Sequence, residues 1–191
     1  SSHRLEDATC TWSWDGRAAA PPVLTADGRA VLVAARSGPL HVLDAADGGL
    51  LATLPVPEEP VTCIAAAPHE DGAACGHADG SVSFARPGGS ISRVPAGSGG
   101  PVRSISFIPE NGGCLAVHAD GRAVLIDPRT AAITRTFPGP AGTAACSTIS
   151  PAGGWFATGG SDHTLRWYDL TGKSAPIVLP LYNRSVTCIA A

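Results

Sequence analysis

The chain has 191 residues, with 13 Lys and Arg against 16 Asp and Glu, a net charge of -3 and no run of like charges. This argues against a nucleic-acid surface built on bulk positive potential, and leaves room only for a local basic patch. No apolar run reaches the roughly 18 residues of a transmembrane helix, and 23 Gly and 17 Pro spread along the chain suit short strands with frequent turns better than helices.

The first ten residues, S-S-H-R-L-E-D-A-T-C, lack the basic-then-apolar pattern of a secretory signal. The chain therefore reads as soluble and intracellular, with the choice between cytoplasm and nucleus or nucleolus left open. Residues 1–17 read as an irregular N-terminal segment. Its Trp14-Asp15 dipeptide lies too close to the next strand to close a repeat, and reads as chance.

From residue 18 the same unit returns. In 18–60 a weak first strand lies in Val23 to Gly28, a second in Ala30 to Ala34, and a last in Leu50 to Leu54. In 61–101, V-T-C-I-A-A-A-P ends at Pro68, followed by strands at Ala73 to Gly76 and Ile91 to Val94. The loop Pro95 to Pro101 that closes this unit lacks the G-K-[ST] of a phosphate cradle. In 102–143, V-R-S-I-S-F-I-P ends at Pro109, and the later strands are Cys114 to Val117 and Ile133 to Phe137. In 144–184, A-A-C-S-T-I-S-P ends at Pro151 and leads into F-A-T-G-G-S-D-H-T-L-R-W-Y-D-L. There Phe156 to Thr158 is predicted as a strand, Gly159 to His163 as the turn and Thr164 to Asp169 as the next strand. Leu165 and Trp167 take one face, Arg166 and Tyr168 the other. Ile177 to Leu179 closes the unit, and 185–191 starts another.

The interval is regular. Ser37, Asp79, Asp120 and Asp162 sit in the predicted turns at spacings of 42, 41 and 42 residues. Five residues after each stand Val42, Phe84, Leu125 and Trp167, and seven after stand Asp44, Arg86, Asp127 and Asp169. A period of about 40–45 residues with four strands per unit is the mark of a propeller blade. The fold class is thus all-β, a β-propeller of four-stranded antiparallel blades with about four blades present. A lone unit cannot bury both faces of its sheet, so stability must come from stacking.

None of the six cysteines forms a C-x-x-C pair, which argues against zinc and thioredoxin-type chemistry. Cys63, Cys146 and Cys188 recur at one place in the repeat, and Cys75 holds the place of Thr158. Equivalent positions lie on different units, so the cysteines read as too far apart to bridge and as small buried residues.

F-A-T-G-G-S-D-H-T-L-R-W-Y-D-L resembles the signature of WD-repeat β-propellers, over roughly Pro22 to Ala191. The resemblance implies an Asp in the turn between second and third strands that bonds a His before the first strand, a Ser or Thr in the second and a Trp ending the third. Asp79, Asp120 and Asp162 match the Asp, Thr158 the hydroxyl, and Tyr168 stands where the Trp is expected; Asp169 is the terminal Asp. No Gly-His dipeptide precedes a first strand, and Leu43, Ala85 and Ile126 replace the Trp. The family's usual seven-bladed ring implies that these four blades are a partial ring, from a longer protein or completed by another chain.

On this reading Asp79, Asp120, Asp162, Thr158 and Tyr168 are structural turn residues. The candidate partner-binding rim holds His77, His118, Ser161, His163, Arg103 and Arg184, with Glu58, Glu59 and Asn183 nearby. His77 and His118, each two residues before an Asp, read as local partners of those turns in preference to metal ligands. No catalytic, cofactor or metal site is expected, nor a membrane or small-molecule partner. The expected function is a protein-interaction scaffold that offers rim loops to a protein within a multi-subunit complex. An RNA-associated subunit of pre-rRNA processing is the alternative, from the likeness of D-G-R-A-V-L-V-A-A-R…V-L-D-A-A-D-G to nucleolar members of the family. A propeller enzyme ranks last, because it needs carboxylate, Asn and His ligands converging on a channel.

Overall fold

The structure, a computed structural model, describes residues 18–35, 38–68, 72–95, 99–109, 112–139, 142–181, 185–187 and 189. Among them are sixteen strands and no helix. The strands form four antiparallel sheets, each a simple meander in chain order. The first holds β1 (Val23–Leu24), β2 (Ala30–Ala34), β3 (Leu40–Asp44) and β4 (Leu50–Leu54). The second holds β5 (Val61–Ala66), β6 (Ala73–His77), β7 (Val82–Ala85) and β8 (Ile91–Val94). The third is β9 (Val102–Phe107), β10 (Cys114–His118), β11 (Ala123–Asp127) and β12 (Ala132–Phe137). The fourth is β13 (Ala144–Ile149), β14 (Trp155–Gly160), β15 (Thr164–Asp169) and β16 (Ile177–Pro180). These are blade-like units stacked in sequence, and among the described residues they do not close a ring.

Each boundary between sheets is an apolar core. Leu32, Leu40 and Leu54 of the first blade meet Val61, Ile64 and Cys75 of the second. Val82, Phe84 and Val94 of the second meet Ile105, Cys114 and Ile126 of the third. Leu115, Val117 and Phe137 of the third meet Phe156 and Tyr168 of the fourth. Fully burying one such side chain contributes about 1.5–3 kcal/mol, and no single sheet can supply that cover. Burial therefore follows position in the blade. Every residue of β6 and β10 is buried, whereas the outer strands show Leu50 (61 % exposed), Ile133 (50 %) and Ile177 (55 %).

Several strand limits differ from the sequence reading. The weak first strand is only Val23–Leu24, because Asp27 and Gly28, the latter at φ 72°, already belong to the turn. Strands β6 and β10 each run one residue further, through His77 and His118. Strand β14 runs two further, since Gly159 pairs with Cys146 and Gly160 with Ala144 on β13. Those glycines stay in the ladder because neighbours close on them: a Cβ on Gly159 would collide with Val186, and one on Gly160 with the Thr143 carbonyl. On β15 it is Tyr168, with 2 % exposure, that turns into the core, and Trp167, with 42 %, that does not.

Cys63, Cys75, Cys114 and Cys146 are free thiols. Cys63, Cys75 and Cys114 lie close enough to feel one another's charge. Burial pushes the Cys63 thiol up to about 11 and the Cys75 thiol up to about 12, and it raises Cys114 as well. All three are therefore neutral and unreactive at ordinary pH. Cys10 and Cys188 lie outside the described residues.

Candidate protein-interaction rim

The turns between the second and third strands of each blade share one end of the stack with the loops joining consecutive blades. One backbone bond repeats across that end. Ala78 N–H donates to Pro60 O at 2.9 Å, Ala119 N–H to Pro101 O at 2.8 Å, and Ser161 N–H to Thr143 O at 3.0 Å. Each bond ties a turn to the loop that opens its own blade, one residue before the turn Asp. In the fourth blade the tie is doubled, because Thr143 N–H also donates to Ser161 Oγ at 3.1 Å.

The aspartates shape the turns themselves. Asp79 Oδ1 accepts from Ser81 N–H at 2.9 Å and Ser81 Oγ at 2.7 Å, while Oδ2 pairs with Arg93 of β8 at 2.7 Å. Burial, the largest influence, pushes the Asp79 carboxyl up, but the Ser81 bonds and the Arg93 charge outweigh it and hold it below its ordinary value. Asp162 Oδ1 accepts from Thr164 N–H at 3.2 Å and Thr164 Oγ1 at 2.8 Å, and Oδ2 pairs with Arg166 at 3.0 Å. Asp120 Oδ1 accepts from Arg122 N–H at 2.9 Å. Such side-chain-to-backbone bonds two residues on are the Asx geometry that makes Asp a turn residue. Ser37 lies outside the described residues.

The residue after each Asp must enter the left-handed region. Gly80 has φ 87° and Gly121 has φ 81°, but the fourth blade places His163 there at φ 59°. A side chain in that conformation costs roughly 1–2 kcal/mol relative to a comfortable one. His163 and Ser161 are exposed beside each other, and Arg103 is exposed on β9. Arg184 and Asn183 lie outside the described residues.

His77 and His118 require a correction. Both are buried, at 0 % and 3 % exposure, so neither presents its ring to a partner, and neither bonds its neighbouring Asp. Because strand pairing continues through them, their rings enter the interior. His77 Nδ1–H donates to Glu59 O at 3.1 Å, and its Nε2 shares a 2.7 Å bond with Ser83 Oγ. His118 Nε2–H donates to Gly80 O at 3.1 Å, which links the third blade to the turn of the second. Burial lowers the His77 pKa below the ordinary histidine value.

Thr158 and Tyr168 are buried at 2 % exposure. The Tyr168 ring stacks on Phe156 with centroids 4.6 Å apart and meets Phe137 edge-on at 5.9 Å. Its hydroxyl donates to Pro138 O at 2.8 Å, so the aromatic cluster fastens the loop between the third and fourth blades. Burial raises the phenol pKa. Sequence reasoning missed Arg93 and Arg166. Arg166, four residues after Asp162, carried a local signal, whereas Arg93 reaches Asp79 from another strand. At the opposite end, Asp44, Asp127 and Asp169 accept from Ala46, Arg129 and Thr171 N–H in the turns to the outer strands. Arg86, at the matching place in the second blade, instead donates to Ser92 Oγ and to Pro128 O of the third. Among the described residues no group of three or more His, Cys, Asp and Glu converges as a metal set would.

The family model described as WD domain, G-beta repeat matches residues 132–169. These limits are the start of β12 and the end of β15, so the matched unit takes the outer strand of one blade and the inner three of the next. It contains the Tyr168–Pro138 bond that crosses between them. No curated protein matches the chain. Scaffolding of protein interactions is the usual role of this family. Four stacked blade-like sheets, and a family match over residues 132–169 that runs across a sheet boundary, are consistent with a WD-repeat protein.

Proposed function

We propose that this protein is an interaction scaffold within a multi-subunit complex, and that it presents the end of the stack bearing Ser161 and His163 to a protein or peptide. The observation that carries this reading is His163. It occupies a left-handed slot where the second and third blades use glycine, and it is exposed. Strain held at an exposed position beside a doubly tied loop is the pattern of a residue retained for recognition. The platform beneath it is rigid, because the Asp162–Arg166 pair is largely buried, with side-chain exposures of 13 % and 16 %. Arg93 and Arg166 are engaged by Asp79 and Asp162, which favours a protein partner over phosphate contacts. The turn carboxylates are likewise committed to backbone and side-chain bonds, which supports a scaffold over an enzyme.

The experiment is photo-crosslinking in cell extract, with a photoreactive residue at 163 and, separately, at Thr171 in the exposed turn of the opposite end. Discrete protein adducts from position 163 and none from position 171 are expected. Adducts only from position 171, or adducts only to RNA, would overturn the reading.

A further inference from the structure

At one place in the repeat the second blade reverses its charge. Asp44, Asp127 and Asp169 each close the turn to an outer strand with a carboxylate, but in the second blade Arg86 stands there. Its turn does not need the side chain. Arg86 N–H donates to Ser90 O at 3.1 Å and Gly89 N–H to Arg86 O at 3.2 Å, with Gly88 and Gly89 at φ 84° and 87°. The guanidinium instead donates to Ser92 Oγ at 3.1 Å on β8 and crosses to Pro128 O of the third blade.

Beside that crossing, between the second and third blades, lies a cavity of about 100 Å³. Ala67, Ala73, Phe84 and Phe107 line it, the two rings with centroids 6.5 Å apart, and its charged lining is Arg86 and Arg129. Among the described residues that line it there is no carboxylate. Asp127, two residues before Arg129, is held within its own turn by Arg129 N–H at 2.9 Å and Thr130 Oγ1 at 3.0 Å. Phe84 is 2 % exposed whereas Arg129 is exposed, so the cavity is apolar at its floor and cationic at its mouth. A guanidinium has five N–H donors in a planar fork that suits a carboxylate, so Arg86 can serve a further acceptor beside those it already holds.

We infer that this cavity binds a carboxylate carried on a short aliphatic body. The body lies on Phe84 and Phe107, and the carboxylate faces Arg86 and Arg129. An apolar cavity of about 150 Å³ holds a benzene ring, so a space of about 100 Å³ suits a smaller group such as isobutyl. A free acid and the C-terminal leucine of a partner chain both offer that chemistry. The site lies on a different boundary from Ser161 and His163, and does not rest on the surface proposed there.

The test titrates the full chain with isovalerate, with its neutral amide isovaleramide and with acetate, and follows the ring signals of Phe84 and Phe107 and the arginine Nε–H signals by NMR. Isovalerate should give a saturable shift at Phe107 and Arg129. The amide, which lacks the charge, and acetate, which lacks the body, should each bind about tenfold more weakly or worse. Two variants locate the site. Arg129→Gln, in an exposed turn, should weaken isovalerate several-fold, and Ala67→Leu, which fills the cavity, should abolish its binding. The peptide Gly-Gly-Leu and its C-terminal amide separate the two sources. If the peptide acid binds more tightly than isovalerate, the ligand is a chain terminus; if more weakly, it is a free acid, and either result supports the assigned chemistry. Absence of any shift, equal binding of isovalerate and its amide, acetate as strong as isovalerate, or affinity unchanged in either variant would overturn the proposal.

Discussion

The second and fourth blades carry the same backbone turn on different interiors. Toward the preceding blade, the second presents Ala73, Cys75, His77, Ser83 and Ala85, where the fourth presents Phe156, Thr158, Gly160, Arg166 and Tyr168. In one, small residues close around a His77–Ser83 bond; in the other, aromatic rings fill the space and the His position is glycine. Each turn Asp nevertheless has one guanidinium. It comes from Arg93 on β8 in the second blade and from Arg166 on β15 in the fourth, which are paired positions of the same ladder, opposite Ser83 and Val178 respectively. The charge has changed strands while the turn has kept its shape. Turn geometry is therefore the constraint the blades share, and the interior is whatever fills the gap to the neighbouring sheet.

The largest effect expected from breaking this comparison is in the aromatic interior. Phe156→Ala should cost about 3–5 kcal/mol by denaturant unfolding, although alanine is what the second blade carries at the matching Ala73. A cost below about 1 kcal/mol would mean that the aromatic cluster is not what joins the third and fourth blades. Next is the buried histidine. His77→Ala should cost about 1–3 kcal/mol, because it strands the Glu59 carbonyl and the Ser83 hydroxyl.

The same histidine makes stability depend on pH. Its folded pKa lies below its unfolded value of about 6.5, so its contribution is fully present above that value. As pH falls through it, the unfolded chain takes up the proton first and stability declines until the folded pKa is passed. Unfolding free energy measured from neutral to mildly acidic pH should show this decline, and His77→Gln should flatten it.

The turn aspartates come after these. Asp162→Ala should cost about 2 kcal/mol and Asp79→Ala about 1 kcal/mol, since the Asp162 pair is the more buried and the Asp79 pair is weakened by solvent. Equal losses would remove the difference in burial as the explanation. The smallest effect has the opposite sign. His163→Gly should stabilise the fold by about 1 kcal/mol by relieving the left-handed backbone, while crosslinking to the partner from a photoreactive group at the neighbouring position 161 declines.

The repeat interval, the four strands of each unit and the turn aspartates were all legible, because turn residues and strand alternation are local signals. The outer strands emerged within a residue of the sequence reading for the same reason. What escaped was set across the ladder or between blades. Nothing local distinguishes His77 two residues before Asp79 from a surface histidine. It is buried because pairing with β5 continues one residue past the point where the apolar pattern ends. Gly159 and Gly160 read as turn residues because glycine usually is, yet here they make room for Val186 and Thr143. Arg93 gave no signal at all, since its partner lies fourteen residues away on another element.

The proposed function requires a rim whose turns are tied in advance to the loops that open each blade, so that a partner would meet a preformed surface. The most direct measurement is residue-resolved amide hydrogen exchange at Ala78, Ala119 and Ser161, the three donors of the repeated backbone bond. The account expects all three to be protected to a similar degree, and to lose protection together as the stack is destabilised. Exchange at open-chain rates at these positions, with the neighbouring strands still protected, would contradict it.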